Sequence, residues 1–266
     1  MPDNQNSSSS FYILSKIETY YKSKKPIIFH TNKVDEKFYE EIDRSLSYIL
    51  AHKNYPHVRL YLSYIIDEII ENAFKSNLKR IYFDINNLNI ENQKDYEKGI
   101  KTFATSYHEN FPVLLQKAQG KNLYVKVIFR EYAGNEFAVE IINNSVLINQ
   151  EEKRIKEKLA HFSEIKSNPE NYYRYIDSTE GGGLGLILSL KLLEQIGIEG
   201  LPLIIENKDD ITIAKIFFEY NKVTPPPYNA VAQEILAQLK ELPKFPANIK
   251  SLLIKLLNKN VELSEL

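Results

Sequence analysis

Four of the nine glycines in the chain stand close together and lead directly into a helix-forming stretch. Glycine lets a backbone approach a phosphate closely, and the free N–H groups of a helix's first turn point at an anion bound there. The cluster comprises Gly181, Gly182, Gly183 and Gly185, and an apolar run with helical spacing follows at Leu186, Ile187, Leu190 and Leu193. This pattern predicts a phosphate-binding loop, and a tight turn before a helix stays open as the alternative.

A second set of reactive side chains lies along a long predicted helix, residues 57–79. Its polar residues recur at helical spacing and form one stripe opposite an apolar face: Glu68, Asn72, Lys75 and Lys79. A carboxylate can activate water, a carboxamide oxygen can ligate Mg²⁺, and an ammonium can meet a phosphate. For the spacing taken alone, a solvated helix face is the better explanation, and it stays open; the combination of residue types is what points to chemistry.

A third set lies where a predicted strand, residues 137–142, gives way to Asn143, Asn144 and Ser145. Small polar residues that leave an apolar strand can present a side chain to a ligand. Asn-Asn-Ser is also a common turn composition, so a plain turn is the alternative.

The elements that must position these groups are helices and paired strands in mixed order. Beyond the helix at 57–79, the sequence predicts helices at 35–50 and 150–162, a short strand at 26–30, and β-hairpins at 124–142 and 201–218. Hairpins in place of regular βαβ alternation predict an α+β fold. We expect a two-layer sandwich of helices on a mixed, mainly antiparallel sheet.

Together the three motifs resemble the ATP-binding domain of the GHKL superfamily, the Bergerat fold shared by DNA gyrase B, heat-shock chaperone ATPases, histidine kinases and MutL. The resemblance covers roughly residues 35–220. It implies that Glu68 is the general base, that Asn72 ligates Mg²⁺, and that Lys75 lies near a phosphate. It also implies an ATP lid over residues 149–180, closed by a glycine box, and a threonine near the adenine. The matching residues are Gly181, Gly183, Leu184, Gly185 and Leu186 for the box, and Thr212 in the last strand.

One motif departs from that family. Its first glycine box reads Asp-x-Gly-x-Gly, and the aligned residues here are Asn143, Ser145 and Leu147. An asparagine carbonyl can still accept the adenine amino group, but charged partners make hydrogen bonds roughly twice as strong. In addition, none of the five histidines lies in a phosphoacceptor context, so autophosphorylation on histidine is not expected.

Composition limits the other possibilities. A net charge of −1 gives no electrostatic case for binding nucleic acid or an anionic membrane. No apolar run reaches the roughly 20 residues that span a bilayer, and the polar N-terminus is no signal peptide. The chain has no cysteine, which fits a cytoplasmic protein.

The predicted organisation has four parts: a disordered leader at 1–10, the ATP-binding domain at 11–223, a proline-rich linker at 224–230 and a helical tail at 231–266. Within the tail, the Leu-Pro-x-x-Pro sequence before an amphipathic helix resembles the start of an HDOD signalling domain. A plain helical tail is the alternative.

Three functions stay open. The first is a signalling ATPase or protein kinase acting in trans, with ATP and Mg²⁺ as cofactors and Glu68 as base. The second is a degenerate nucleotide-binding module that switches an attached or partner output domain without catalysis. The third is an interaction protein with an empty pocket. The expected partners are a nucleotide and a protein or attached output domain, and a homodimer is left open.

Overall fold

The computed structural model of the protein describes residues 25–132, 135–167, 184–198 and 202–223, together with isolated positions between 15 and 23. The predicted leader, proline-rich linker and tail lie outside these residues. No helix within the described ranges is long and apolar enough to cross a membrane.

Five strands and five α-helices make up the described part. In chain order they are β1 (Ile27–Thr31), α1 (Glu36–His52), α2 (Arg59–Ile85), α3 (Gln93–Gly120), β2 (Val125–Tyr132), β3 (Glu136–Asn143), α4 (Asn149–Ser167), α5 (Leu184–Gln195), β4 (Leu203–Lys208) and β5 (Ile211–Glu219). Single 3₁₀ turns precede α2 and follow β5.

The strands form one sheet in the order β1-β2-β3-β5-β4, and every described pair is antiparallel. Both predicted hairpins are present as β2–β3 and β4–β5. Asn135 and Asp209 take positive φ values at the two turns, which asparagine and aspartate tolerate better than most residues. The predicted α+β class is therefore confirmed, with a sheet that is antiparallel throughout the described strands.

Helix α1 matches its predicted position because the sequence marks its start. The Asp35 side chain accepts a hydrogen bond from the backbone N–H of Phe38 at 3.2 Å, so it caps the helix. Helix α2 continues past its predicted end at residue 79 as far as Ile85. Its last turns carry Tyr82 and Phe83, which are buried.

From its sequence, the stretch 84–121 is predicted to be polar and irregular, with helical spacing at Tyr96, Ile100, Phe103, Leu114 and Leu115, and helix α3 corrects this prediction. It is one helix of 28 residues that contains Pro112 and is capped by Asn92. Tertiary packing outweighs the weak local pattern: a β-carbon added at Gly99 would lie 2.2 Å from the ring of Phe83, so α3 meets α2 at very close range there.

The two faces of the sheet differ. One face, with Val127, Phe129, Val139 and Ile216, joins the hydrophobic core with α2. The other, which we call the outer face, lies outside that core cluster. The strand register places the following residues on it: Ile28, His30, Lys126, Ile128, Arg130, Tyr132, Glu136, Ala138, Glu140, Ile142, Ile204, Glu206, Lys208, Ile211, Ile213, Lys215, Phe217 and Glu219.

Candidate functional site

Glu68 and Asn72 stand one turn apart on α2 and are joined by a hydrogen bond. The Asn72 amide Nδ2 donates to Glu68 Oε1 at 3.1 Å. This leaves the Asn72 carbonyl Oδ1 directed elsewhere. Burial raises the pKa of the Glu68 carboxyl, while the Asn72 hydrogen bond and the charge of Lys75 oppose that rise. A carboxylate with a raised pKa is suited to accepting a proton.

Helix α5 begins directly against Glu68. A β-carbon added at Gly185 would lie 1.7 Å from Glu68 Oε1, so only glycine permits this contact. The carboxylate therefore lies at the first turn of α5, where the helix dipole favours a negative charge. Of the other predicted glycine-box residues, Leu184 opens α5 and Leu186 packs against the core, whereas Gly181 and Gly183 lie outside the described residues.

The predicted polar stripe on α2 divides into three environments. Lys75 pairs with Glu71 at 3.1 Å and stands 5.8 Å from the centre of the Tyr107 ring. Glu71 also accepts a hydrogen bond from the Tyr39 hydroxyl at 3.2 Å. Lys75 is thus one turn beyond Asn72 and paired with another carboxylate.

Lys79 is buried, two turns beyond Asn72 on the same helix. It pairs with Glu151 at 2.8 Å, and the same carboxylate is bound by Arg80. Burial by itself raises the pKa of Glu151, but Lys79 and Arg80 together hold it at about 2. Glu151 also accepts from the backbone N–H of Ile148 at 3.2 Å. The first turn of α4, which opens the predicted lid segment, is therefore fastened to α2.

The third predicted group forms a buried polar network where β3 ends. Asn143 lies opposite Thr212 in the sheet register. Asn143 Nδ2 donates to Ser145 Oγ at 2.7 Å, and Thr212 Oγ1 donates to the Ser145 carbonyl at 2.7 Å. All three side chains are less than one-tenth exposed. The structure thus brings these three predicted residues together.

Asn77, which was not predicted, fixes the direction of this network. Its Nδ2 donates to the Tyr124 carbonyl at 2.9 Å, so its Oδ1 must face the network. There it accepts from Asn143 Nδ2 at 3.3 Å and from Ser145 Oγ at 2.9 Å. Because the carbonyl oxygen of Asn77 faces the network, Asn143 must turn its amide nitrogen toward Asn77. Its carbonyl Oδ1 has no hydrogen-bond partner in the described part of the chain.

Asn207, also not predicted, ties the segment after β3 to β4. Its Oδ1 accepts from the backbone N–H of Leu147 at 2.8 Å and its Nδ2 donates to the Leu147 carbonyl at 2.9 Å. The Asn207 side-chain amide thereby pairs with the Leu147 backbone in the way that a residue of a neighbouring strand would. The sequence could have indicated Asn77, because it is a polar residue on the apolar face of α2. For Asn207 the sequence shows only a segment with the composition of a turn.

The described residues offer few protein ligands for a metal. No group of three or more His, Cys, Asp or Glu side chains in these ranges is arranged to hold an ion. A Mg²⁺ at Asn72 would therefore need most of its oxygen ligands from water and from a phosphate, which is how Mg²⁺ is commonly bound.

Comparisons with known proteins give distant relationships. No family model matches the chain. A protein of Treponema pallidum (strain Nichols) described as uncharacterized is 30% identical over 211 residues, which are 79% of this chain and 41% of that protein. The chain thus spans less than half of the length of that relative. The crystal structure of the SiaB–SiaC complex from Pseudomonas aeruginosa is similar with a TM-score of 0.42 and 14% identity, over 79% of this chain and 99% of that one.

These comparisons correct the predicted family. The chain matches no family model, neither a GHKL nor an HDOD one, and the similar solved structure is described only as the SiaB–SiaC complex. The first glycine box supplies a physical reason for the correction. Asn143 replaces the aspartate and is locked into a buried network, and Leu147 replaces a glycine and is held by Asn207. The stretch that resembles an HDOD domain lies outside the described residues.

Proposed function

We propose that this chain is a regulatory signalling protein in which a magnesium–nucleotide, with ATP as the first candidate, sets the position of α5 for a protein partner or an attached output domain. One observation carries the proposal: Gly185 brings the first turn of α5 against Glu68, beside Asn72. A carboxylate, a carboxamide and a helix N-terminus that meet at one point form a surface suited to a metal-bound phosphate.

Two described residues and one helix terminus would hold this ligand. Asn72 Oδ1 is available to Mg²⁺ because the amide nitrogen of the same side chain is engaged with Glu68. The first turn of α5 would receive the phosphates. Asn143 Oδ1, the acceptor left over by the buried network, would accept from the adenine amino group. The bound Mg²⁺ would neutralise phosphate charge.

A regulatory role is favoured because Glu68 already lies where a phosphate would enter. The carboxylate touches the first turn of α5, so two negative groups would compete for one helix terminus. Binding must therefore move Glu68, α5 or both. A ligand that changes the relative position of two elements can bias what a partner binds.

A second candidate is hydrolysis or phosphotransfer in trans with Glu68 as the base. The observation in its favour is the pKa of the Glu68 carboxyl, which burial raises above its ordinary value. A carboxylate with a raised pKa is a stronger base and can take a proton from water or from a protein hydroxyl.

Isothermal titration with ATP, ADP and GTP, each with and without Mg²⁺, tests the proposal. We expect Mg²⁺-dependent ATP binding that is lost in Asn72→Ala and retained in Asn110→Ala, a matched asparagine on α3. No binding of any nucleotide would overturn the proposal. Turnover that disappears in Glu68→Gln, but not in the exposed-site control Glu109→Gln, would establish the second candidate, and binding without turnover would exclude it.

A further inference from the structure

The outer face of the sheet carries a concentration of exposed apolar side chains. Ile28, Tyr132, Ile204 and Phe217 are between 36% and 48% exposed, and they account for half of the eight large hydrophobic residues that are exposed in the described part. Between them, at the centre of the face, Ile128, Ala138 and Ile142 are at most 8% exposed in the single chain. Exposed apolar area gathered on one side of a sheet marks an interaction surface.

The charges on this face are separated by strand. Strand β2 presents only cations, Lys126 and Arg130, and its neighbour β3, the central strand of the sheet, presents only anions, Glu136 and Glu140. Over the whole face four lysines and arginines balance four glutamates, so the face has no net charge. A partner with charge of one sign gains nothing from such a surface. A second copy of the same surface can be related to the first by a two-fold axis parallel to the strands. The cations of each copy then lie over the anions of the other, so the complementary contact occurs twice.

We propose that the outer face is a homodimer interface in which β2 of one copy lies across β3 of the other. The contact is isologous, so Arg130 faces the partner's acidic strand in both directions. Two sheets packed face to face in this way form a sandwich. Five strands spaced ~4.8 Å apart make the face roughly 24 Å wide, which suits an interface of standard size.

Several side chains on this face are already held in place. Arg130 stands 6.0 Å and Lys215 5.4 Å from the centre of the Tyr132 ring, and Lys215 pairs with Glu140 at 3.3 Å. Tyrosine and arginine are the residue types that contribute most to binding at protein interfaces. Fixing them in the free chain reduces the entropy lost on association.

A charge-reversal pair in the full chain tests this interface. Sedimentation equilibrium over a concentration series should show a wild-type dimer, and Arg130→Glu and Glu136→Arg should each weaken it by about tenfold or more. Mixing the two variants should restore dimers, because each new glutamate then faces a new arginine. Lys153→Glu on the exposed surface of α4 is the matched control and should leave dimerisation unchanged. Circular dichroism of each variant confirms that it is folded.

A wild-type chain that stays monomeric throughout the series overturns the proposal. It would indicate that another segment of the chain or a different protein covers the outer face. A dimer that survives both reversals also overturns it, since a different surface would then be responsible. Phe217→Ser gives an uncharged check on the same face and should weaken the dimer as well.

Discussion

Gly185 and Glu68 are in contact so close that no other residue type fits at position 185 without moving the carboxylate. The blocking atoms belong to the end of a flexible side chain. We therefore expect Gly185→Ala to push Glu68 off α5 at a cost of about 1 kcal/mol of folding free energy. Urea denaturation measures this cost. In the Glu68→Ala background the same substitution should be close to neutral, and equal effects in both backgrounds would show that the two residues are not coupled.

A harder steric limit holds at Gly99. Its β-carbon position lies 2.2 Å from the Phe83 ring, and Phe83 is 2% exposed, so the ring has no free volume to enter. Gly99→Ala should cost about 2–3 kcal/mol in urea denaturation. Gly120→Ala is the control: nothing lies within 4 Å of its β-carbon position, and it should be neutral or slightly stabilising. A neutral Gly99→Ala would show that α3 can move away from α2.

Removal of the Glu151 charge leaves two cations without their buried anion. Glu151→Gln should destabilise the fold by about 3–5 kcal/mol, because Lys79 and Arg80 then lose the buried carboxylate that offsets their desolvation. Glu157→Gln, at an exposed position on the same helix, should have little effect. Thermal or chemical denaturation of both variants makes the comparison.

The pH dependence of this contribution follows from the lowered pKa of Glu151. The pKa is about 2 in the folded chain and near 4.5 in the unfolded one. The stabilisation is therefore complete above pH 4.5 and lost progressively as the pH falls toward 2. Wild-type stability should fall over this interval more steeply than that of Glu151→Gln, and parallel curves would contradict the assignment.

The contribution of Asp67 to stability has the opposite pH dependence. Burial, followed by the nearby Asp43 charge, raises its pKa from 3.8 to about 7. Between these values the unfolded chain loses a proton that the folded chain retains, so stability falls as the pH rises through this range. Asp67→Asn should therefore stabilise the chain at pH 8 by ~1–2 kcal/mol, less than the full shift implies because the side chain is only partly buried. The control Asp210→Asn, in an exposed turn, should not stabilise the chain at pH 8.

The sequence pattern predicts the elements in which local periodicity agrees with the tertiary packing, and these are most of the fold. Helix α1 and both hairpins were predicted because their apolar spacing and turn residues are strong. Over α3 the apolar spacing at Tyr96, Ile100 and Phe103 is helical, but the polar composition of the stretch and Pro112 within it gave no reason to predict one continuous helix. The candidate site divides in the same way. Glu68 and Asn72 share a helix face, but their meeting with Gly185 depends on the tertiary fold.

The buried asparagine network shows a further limit. Asn143, Ser145 and Thr212 were predicted as site residues, yet the residue that orients them is Asn77, whose role depends on the Tyr124 carbonyl on the chain segment that enters β2. A sequence pattern can place a carboxamide at a site, but it cannot say which end of that carboxamide faces the ligand.

That orientation has a consequence for nucleobase discrimination. Because the Tyr124 carbonyl fixes Asn77, and Asn77 in turn fixes Asn143, the amide of Asn143 cannot rotate to exchange its donor for its acceptor without breaking a buried hydrogen bond. In the proposed nucleotide site, the atom left to a purine would be an acceptor. Adenine offers an amino group at the position where guanine has a carbonyl oxygen. If the chain binds a nucleotide as proposed, the fixed Asn143 amide would favour adenine over guanine without a charged residue.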